Sequence, residues 1–149
     1  MRKIRYVIDT NAVISLFNEV FNGDISLSVR GINIIRQAFN DKNILILIPS
    51  IVFLEIFSKW FKDEETTSKI RYQVYEHIKN QENFSIELFD KEVLENFIAI
   101  NDIEAGYNFD NHDKQVFATA MKFNCPLITS DLRLIRYNER KNIIPSVIS

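Results

Sequence analysis

The sequence predicts an α/β fold in which a parallel sheet of about five strands lies between two layers of helices, a three-layer α/β/α arrangement. Short apolar runs rich in β-branched residues, above all residues 44–48, are typical of strands covered on both faces. These runs alternate with segments of helical periodicity, and the alternation predicts parallel strands joined by right-handed crossovers. The length of 149 residues predicts one domain over residues 1–149.

The composition is ordinary for a soluble protein, with 46% hydrophobic and 26% charged residues. A net charge of −2 provides no general positive field, so binding to nucleic acid would depend on a local basic rim. Cys125 is the only cysteine, which excludes an internal disulfide and a cysteine-built zinc site and favours a cytoplasmic location. Residues 6–8, between the basic segment 1–5 and Asp9, are too few for a signal-peptide core, and no segment suits a membrane span.

In the first half of the chain, each predicted strand is a short apolar run, and each predicted helix has apolar residues three or four positions apart. Asn11 is the expected cap of the first helix. Polar or proline-containing breaks at residues 22–24, 41–43 and 49–50 separate the elements. In chain order we predict a strand over 4–8, helices over 11–21 and 26–40, a strand over 44–48, and helices over 51–62 and 65–79.

In the second half, residues 84–88 alternate between apolar and polar side chains, which predicts a half-exposed strand at the sheet edge. Asp90 is the expected cap of the next helix, and the polar residues 101–110 form a loop around Gly106. The remaining predicted elements are a helix over 112–124, a strand over 126–129, a short helix over 131–138 and a last strand over 142–144.

Three aspartates are expected at one edge of this sheet, because the carboxyl ends of parallel strands meet there. Asp9 directly follows the first strand, and Asp131 follows the strand over 126–129. Asp113 lies in the first turn of its helix on the stripe that faces the core, where a carboxylate is costly unless it is paired or bound to a metal. The sequence therefore predicts that these three carboxylates converge.

Each aspartate also has a purely structural interpretation, which the sequence leaves open. In this interpretation the carboxylate of Asp9 only accepts hydrogen bonds from backbone amides of the following turn. Asp113 is compatible with an acid near a helix N-terminus, with Asp110 or Asn111 as the cap. Asp131 is compatible with an early-turn acid of the helix that follows it.

Two neighbouring hydroxyls and one glutamate are further candidates. Ser130 is the expected cap of the helix after it, although Thr129 and Ser130 are also placed to orient a water or a carboxylate. Periodicity alone puts Glu55 on a solvated helix face, in the favourable ion-pair order with Lys59. Neither of the two histidines has the spacing of a metal-binding pair.

Several carboxylates in one place require a cation, because two unit charges about 4 Å apart repel by roughly 1 kcal/mol in water and roughly 4 at an effective dielectric near 20. A hard divalent ion prefers oxygen ligands, so magnesium or manganese fits these acids better than zinc. Such a site clamps a phosphodiester and lowers the pKa of a bound water. A nucleic-acid substrate also needs cations for its backbone. The candidates close in sequence to the acids are Lys114, Lys122, Arg133, Arg136, Arg140 and Lys141.

Four segments resemble the successive motifs of PIN-domain nucleases in order and spacing. They are residues 6–11 (YVIDTN), 49–56 (PSIVFLEI), 110–120 (DNHDKQVFATA) and 127–131 (LITSD). The resemblance implies a magnesium- or manganese-dependent endoribonuclease built on a parallel sheet flanked by helices. It also replaces the surface interpretation of Glu55 with a place in the site. The family's acidic positions fall on Asp9, Glu55, Asp113 and Asp131, its small polar position beside the first acid on Asn11, and an extra acid of some branches on Asp110.

PIN proteins of this size are often toxins of VapC-type toxin–antitoxin pairs, so the resemblance implies RNA as substrate and an antitoxin protein as partner. A homodimer through the aromatic residues 57–75 is a further expectation. Two alternatives stay open. One is a domain that binds RNA or protein without cutting. The other is a phosphohydrolase with Asp9 as nucleophile, although such enzymes usually carry a second aspartate where this chain has Asn11.

Overall fold

The computed structural model describes residues 3–149. Met1 and Arg2, the first residues of the basic segment 1–5, lie outside the described residues. The chain folds into a five-stranded parallel sheet flanked by helices, and the predicted fold class is confirmed. Along the sheet the strands follow the order β3-β2-β1-β4-β5. They are β1 (Ile4–Ile8), β2 (Ile44–Pro49), β3 (Phe84–Glu87), β4 (Leu127–Ile128) and β5 (Val147–Ile148).

The helices occupy the segments between the strands, as a parallel sheet requires. The predicted helix over 65–79 is continuous but contains one π-helical segment. The helices are α1 (Thr10–Leu16), α2 (Asn18–Phe21), α3 (Val29–Gln37), α4 (Ser50–Lys59), α5 (Glu64–Ile70), the π-helical segment (Arg71–Tyr75), α6 (Glu76–Lys79), α7 (Lys91–Ala99), α8 (Asn111–Phe123) and α9 (Leu132–Lys141). In the part of the chain that the structure describes, no helix has the length and apolar character needed to cross a membrane.

The core is built on the central strands. Ile46, Leu47 and Ile48 follow each other along β2 and are all at most 1% exposed, so both faces of this strand are covered. Each such side chain contributes about 1.5–3 kcal/mol through burial. In the register of the sheet, Val7 of β1 pairs with Leu47 on one side and with Leu127 of β4 on the other. This packing fixes the position at which β1 ends and Asp9 begins the next turn.

Two predicted elements differ in the structure. The predicted strand over 142–144 is wrong, because the Asn138 side chain accepts hydrogen bonds from the amides of Ile143 and Ile144 at 3.0 and 2.9 Å, and β5 pairs only from Val147. The predicted helix over 11–21 is two helices, α1 and α2, separated at Phe17, whose backbone leaves the helical region (φ −112°, ψ 35°).

The order of the strands creates a crevice beside β1. From β1 the chain moves to β2 and β3 on one side, and it then returns to build β4 and β5 on the other side. Ligands of open α/β sheets bind outside the carboxyl ends of the strands at such a reversal point. Asp9 follows β1 there, and Thr129 follows the adjacent β4.

Candidate active site

Asp9 is a buried carboxylate, 7% exposed, whose two oxygens have different partners. Oδ1 accepts a hydrogen bond from the amide of Ala12 at 2.9 Å and so caps α1. Oδ2 accepts from the hydroxyl of Thr129, which reaches it from β4. The structural interpretation of this residue is therefore correct, and it leaves the second oxygen oriented across the crevice between β1 and β4.

Asn11 does not cap the first helix, contrary to the prediction. The cap is Asp9, because its carboxylate lies three residues before the amide of Ala12, and the helix begins at Thr10. Asn11 lies exposed in the first turn of α1, and in the hydrogen bonds of residues 3–149 its side chain has no bond to Asp9. The supporting contact to the first acid comes from Thr129 instead.

Asp113 lies in the first turn of α8, where the helical periodicity places it. Asp110 caps this helix and accepts from the amide of Asp113 at 2.8 Å. Val116 and Phe117, on the same stripe, are 2% and 1% exposed. The Asp113 side chain is 22% exposed, so it lies at the margin between the core and the crevice.

Asp131 caps α9 by accepting from the amide of Arg133 at 2.9 Å, so the predicted cap at Ser130 is wrong. Ser130 turns to the hydroxyl of Ser26, with 3.0 Å between the two oxygens. Thr129 is fully buried and joins the two acids, because its hydroxyl donates to Asp9 and accepts from the Asp131 amide at 3.1 Å.

Glu55 faces the crevice rather than the solvated side of α4. Its Oε2 accepts from the hydroxyl of Thr10 at 3.1 Å and lies 3.5 Å from Nδ1 of His112. Among residues 3–149, no ion pair joins it to Lys59, whose ammonium lies 4.9 Å from the ring centre of Trp60. The contacts of Thr10 and His112 with Glu55 were not predicted from the sequence, although each residue is the direct neighbour of a predicted acid.

The acids influence one another electrostatically. Burial raises the pKa of Asp9 from 3.8 to about 6, against the hydrogen bonds of Thr129 and Ala12, with further increases from the charges of Asp131 and Glu55. Burial, followed by the charges of Asp110 and Asp131, raises the pKa of Asp113 to about 7. Asp113 therefore keeps part of its proton near neutral pH, and Asp9 keeps its proton to a higher pH than an isolated aspartate does.

Arg133 brings the positive charge nearest to these acids. Its Nη2 lies 3.3 Å from Oδ2 of Asp113 and 3.2 Å from Oδ2 of Asp131. The hydrogen bond and charge of Asp131 raise the pKa of the guanidinium above its ordinary value. One cation from α9 thus joins carboxylates from two helices.

The oxygen donors suit a hard divalent ion, but they are not gathered into a coordination shell. Four carboxylates and the hydroxyls of Thr10 and Thr129 surround the crevice, and oxygen is the ligand that magnesium and manganese prefer. Within residues 3–149, no three acidic, histidine or cysteine side chains are placed to hold a metal ion as they stand. Magnesium–oxygen bonds are about 2.0–2.1 Å, whereas the Oδ2 atoms of Asp113 and Asp131 lie 3.3 and 3.2 Å from the nitrogen of Arg133.

Most of the basic residues predicted to contact a nucleic-acid backbone already have partners within the protein. Lys114 lies 3.4 Å from the buried Asp102, and Lys122 pairs with Asp90. Arg140 donates to the carbonyl of Ala105 at 2.9 Å. Among residues 3–149, the exposed cations of α9 that have no such partner are Arg136 and Lys141.

Comparisons with known proteins agree with this fold. A family model described as PIN domain matches residues 6–140. Chains of similar fold occur in VapBC2 from Rickettsia felis bound to a promoter DNA fragment (19% identity, TM-score 0.64, 98% of both chains) and in VapBC-1 from nontypeable Haemophilus influenzae (16%, 0.67, 97% of this chain and 96% of that one). Another is in a toxin–antitoxin complex from Klebsiella pneumoniae (19%, 0.57, 97% and 96%). No curated protein matches the sequence.

Proposed function

Because the chain belongs to the PIN-domain family, we propose that it is a magnesium- or manganese-dependent endoribonuclease that hydrolyses RNA phosphodiester bonds. One observation carries this proposal. Asp9, Glu55, Asp113 and Asp131 come from four separate segments and face one crevice, where the pKa values of Asp9 and Asp113 are raised to about 6 and about 7. A group of acids in this condition favours a cation, and hard divalent ions promote phosphodiester hydrolysis.

In this proposal, Asp9, Asp113 and Asp131 are the principal metal ligands, with Glu55 at the side of the site. A divalent ion bound there lowers the pKa of a water molecule and stabilises the charge that develops on the phosphate. Thr129 holds Asp9 in position from the neighbouring strand, and Asp110 sets the start of α8. Thr10 and His112 orient Glu55 through its Oε2.

The substrate backbone also needs positive charge at the rim of the site. Arg136 and Lys141 are exposed on α9, the helix that Asp131 caps, and we propose them as contacts to RNA phosphates. Lys114 and Lys122 fit this role less well, because each already neutralises an aspartate of its own chain.

The phosphohydrolase alternative is less compatible with the geometry. A nucleophilic aspartate needs a free oxygen, but Asp9 is buried and both its oxygens accept hydrogen bonds. The second aspartate usual in such enzymes is replaced by Asn11, which is exposed. The other alternative, a domain that binds RNA or protein without cutting, is distinguished from a nuclease by the cleavage assay described below.

We also propose that the protein is the toxin of a cytoplasmic toxin–antitoxin pair, with an antitoxin protein as its partner. The relatives of similar fold support this, since one is a toxin–antitoxin complex and two are VapBC assemblies. The single, buried Cys125 agrees with a reducing compartment. A small open reading frame beside the gene, and protection of cells by its coexpression, would support the pairing.

A homodimer is a further part of the proposal. In the predicted segment 57–75, Phe61 and Tyr72 are 66% and 64% exposed. Beside them, an apolar groove of about 490 Å³ is lined by residues that include Leu54 and Leu88, which are themselves mostly exposed. Exposed apolar surface of this kind marks interaction sites, and we propose a second copy of the chain as the occupant.

The nuclease proposal is tested by comparing wild type with Asp9→Asn on structured RNAs, in magnesium, in manganese and in chelator. Asparagine retains an oxygen to cap α1, so this variant removes the charge while it keeps the helix start. Asp63→Asn is the matched control, because Asp63 caps α5 through the amide of Thr66 outside the site.

We expect metal-dependent cleavage by wild type and Asp63→Asn, and a loss of at least about 100-fold in Asp9→Asn, since removal of one catalytic group commonly costs that much. Equal cleavage by Asp9→Asn would identify a contaminating ribonuclease and contradict the proposal. RNA binding without cleavage under every metal condition would favour the non-cutting alternative.

A further inference from the structure

Arg133 has a position that the proposed chemistry leaves unexplained. A single nitrogen, Nη2, lies 3.3 Å from Oδ2 of Asp113 and 3.2 Å from Oδ2 of Asp131. Its Nε also lies 3.4 Å from Oδ1 of Asp131. The side chain thus occupies the space between two carboxylates that the proposed function assigns to a divalent ion.

The contact differs from an incidental surface ion pair. Asp113 lies in the first turn of α8 and Asp131 caps α9, and the two are brought together only by the fold. The same oxygen atoms would serve a metal, so the guanidinium and the ion cannot both have them. Removing the positive charge would leave the two acids facing each other, with Asp9 and Asp110 close enough to raise the pKa of Asp113.

The arrangement is also suited to displacement. The Arg133 side chain is 52% exposed, and exposed ion pairs are weak because solvent and salt screen them. A monovalent guanidinium at more than 3 Å competes poorly with a divalent ion that binds the same oxygens at about 2 Å. On its other side the guanidinium lies 5.7 Å from the ring centre of Phe109, and its exposed half lets it turn towards solvent once the acids release it.

We infer that Arg133 is an internal counter-cation: it occupies the space between Asp113 and Asp131 in the metal-free protein, and a divalent ion has to displace it. This inference rests on the proposed function, since it presumes that these acids bind a metal. Its consequence is that Arg133 weakens metal binding and so raises the metal concentration at which the site fills.

The experiment is titration of the purified full chain with Mn²⁺, followed by electron paramagnetic resonance of the free ion, for wild type and Arg133→Gln. Arg136→Gln is the matched control, because it removes the same charge from an exposed position one turn further along α9. Arg133→Lys is a second variant that keeps the charge but lacks the guanidinium fork.

We expect Arg133→Gln to bind Mn²⁺ about three- to tenfold more tightly than wild type, because two weak contacts no longer compete. Arg136→Gln should stay within about twofold of wild type, and Arg133→Lys should lie between wild type and Arg133→Gln. In chelator, Arg133→Gln should melt at a lower temperature than wild type, and saturating Mn²⁺ should raise its melting temperature by more.

Three results would overturn the inference, and they separate it from the proposed function. Equal Mn²⁺ affinity in wild type and Arg133→Gln would show that the arginine does not compete, while wild-type binding would leave the metal site intact. Weaker binding in Arg133→Gln would assign the arginine a supporting role instead. If none of the variants binds Mn²⁺, the inference and the proposed metal site both fail.

Discussion

At the scale of single residues, the acids of this site combine two roles that a sequence presents as alternatives. Oδ1 of Asp9 accepts from the amide of Ala12, and Oδ1 of Asp131 accepts from the amide of Arg133. Oδ2 of Asp9 accepts from Thr129, which comes from another segment, whereas Oδ2 of Asp131 accepts from the side chain of Arg133, two residues further along the chain. Capping therefore explains why each aspartate is held in position, and the second oxygen of each is the one that we propose as a metal ligand.

The raised pKa of Asp113 predicts how stability depends on pH in the metal-free protein. The unfolded chain releases this proton near 3.8, but the folded chain releases it only near 7. Between these values the folded state binds more protons, so this group's contribution to stability is present below about pH 4 and is lost as the pH rises towards about 7. Asp113→Asn removes the titration and should become more stable relative to wild type, by on the order of 1–3 kcal/mol between pH 4.5 and 8.

Urea denaturation in chelator at several pH values measures this difference. Asp63→Asn is the control with the opposite sign, because hydrogen bonds from Thr66 lower the pKa of Asp63, so its contribution is lost as the pH falls. If the difference in the free energy of unfolding between Asp113→Asn and wild type does not change with pH, the raised pKa of Asp113 is contradicted.

At the scale of elements, three helix N-termini meet at the crevice. α1, α8 and α9 begin there with Asp9, Asp110 and Asp131 as caps. The amides at a helix N-terminus carry partial positive charge, which offsets part of the repulsion among the acids. These starts were predictable to within a residue or two, because each acid follows an apolar strand or a polar loop and precedes a run of helical periodicity.

Other features depend on contacts that no local pattern records. The strand predicted over 142–144 was wrong because Asn138, on α9, binds the amides that a strand would have used. The position of Glu55 was not predictable from periodicity, because its partners Thr10 and His112 come from other segments. Its assignment to the site came from the resemblance of four motifs.

Asn138 connects α9 to β5, and its removal tests how much that connection contributes. Its side chain accepts from the amides of Ile143 and Ile144 and donates to the Ile144 carbonyl at 3.0 Å, in a position 7% exposed. Asn138→Ala leaves these backbone groups without partners, and we expect a loss of about 2–4 kcal/mol in the free energy of unfolding. Glu139→Ala, exposed on the same helix, should change it by less than about 0.5 kcal/mol.

Chemical denaturation of both variants measures these values. If Asn138→Ala is as stable as Glu139→Ala, the turn into β5 is held by its apolar contacts, such as the buried Ile144, and not by the asparagine.

At the scale of the whole molecule, the strand order determines where chemistry is possible. Strands β2 and β3 are added on one side of β1 and strands β4 and β5 on the other, so β1 and β4 lie side by side. Asp9 and Thr129 therefore meet although 120 positions separate them in sequence. The sequence predicted that Asp9, Asp113 and Asp131 would converge at this edge, since parallel strands share one carboxyl edge and Asp113 lies on the core-facing stripe of its helix. It did not predict Arg133 between the acids, because that position depends on the side-chain conformation at the start of α9.

The proposed homodimer depends on the exposed apolar surface around Phe61 and Tyr72. Phe61 and Tyr72 are mostly exposed beside the apolar groove that includes Leu54 and Leu88. Stable interfaces bury about 800 Å² on each partner, and a charge placed within one is costly because it loses its hydration. We therefore expect light scattering to give twice the chain mass for wild type, and Phe61→Glu to weaken the dimer at least about tenfold.

Ile103→Glu is the matched control for this variant, because Ile103 is 76% exposed and lies in the loop between α7 and α8 rather than beside the groove. It adds the same charge at an equally exposed apolar position, so a dimer formed through Phe61 should be unaffected by it. A monomeric wild type would remove the homodimer proposal. A dimer that both variants leave intact would place the interface on another face, and one that both disrupt would indicate a general effect of charge rather than contact through the groove.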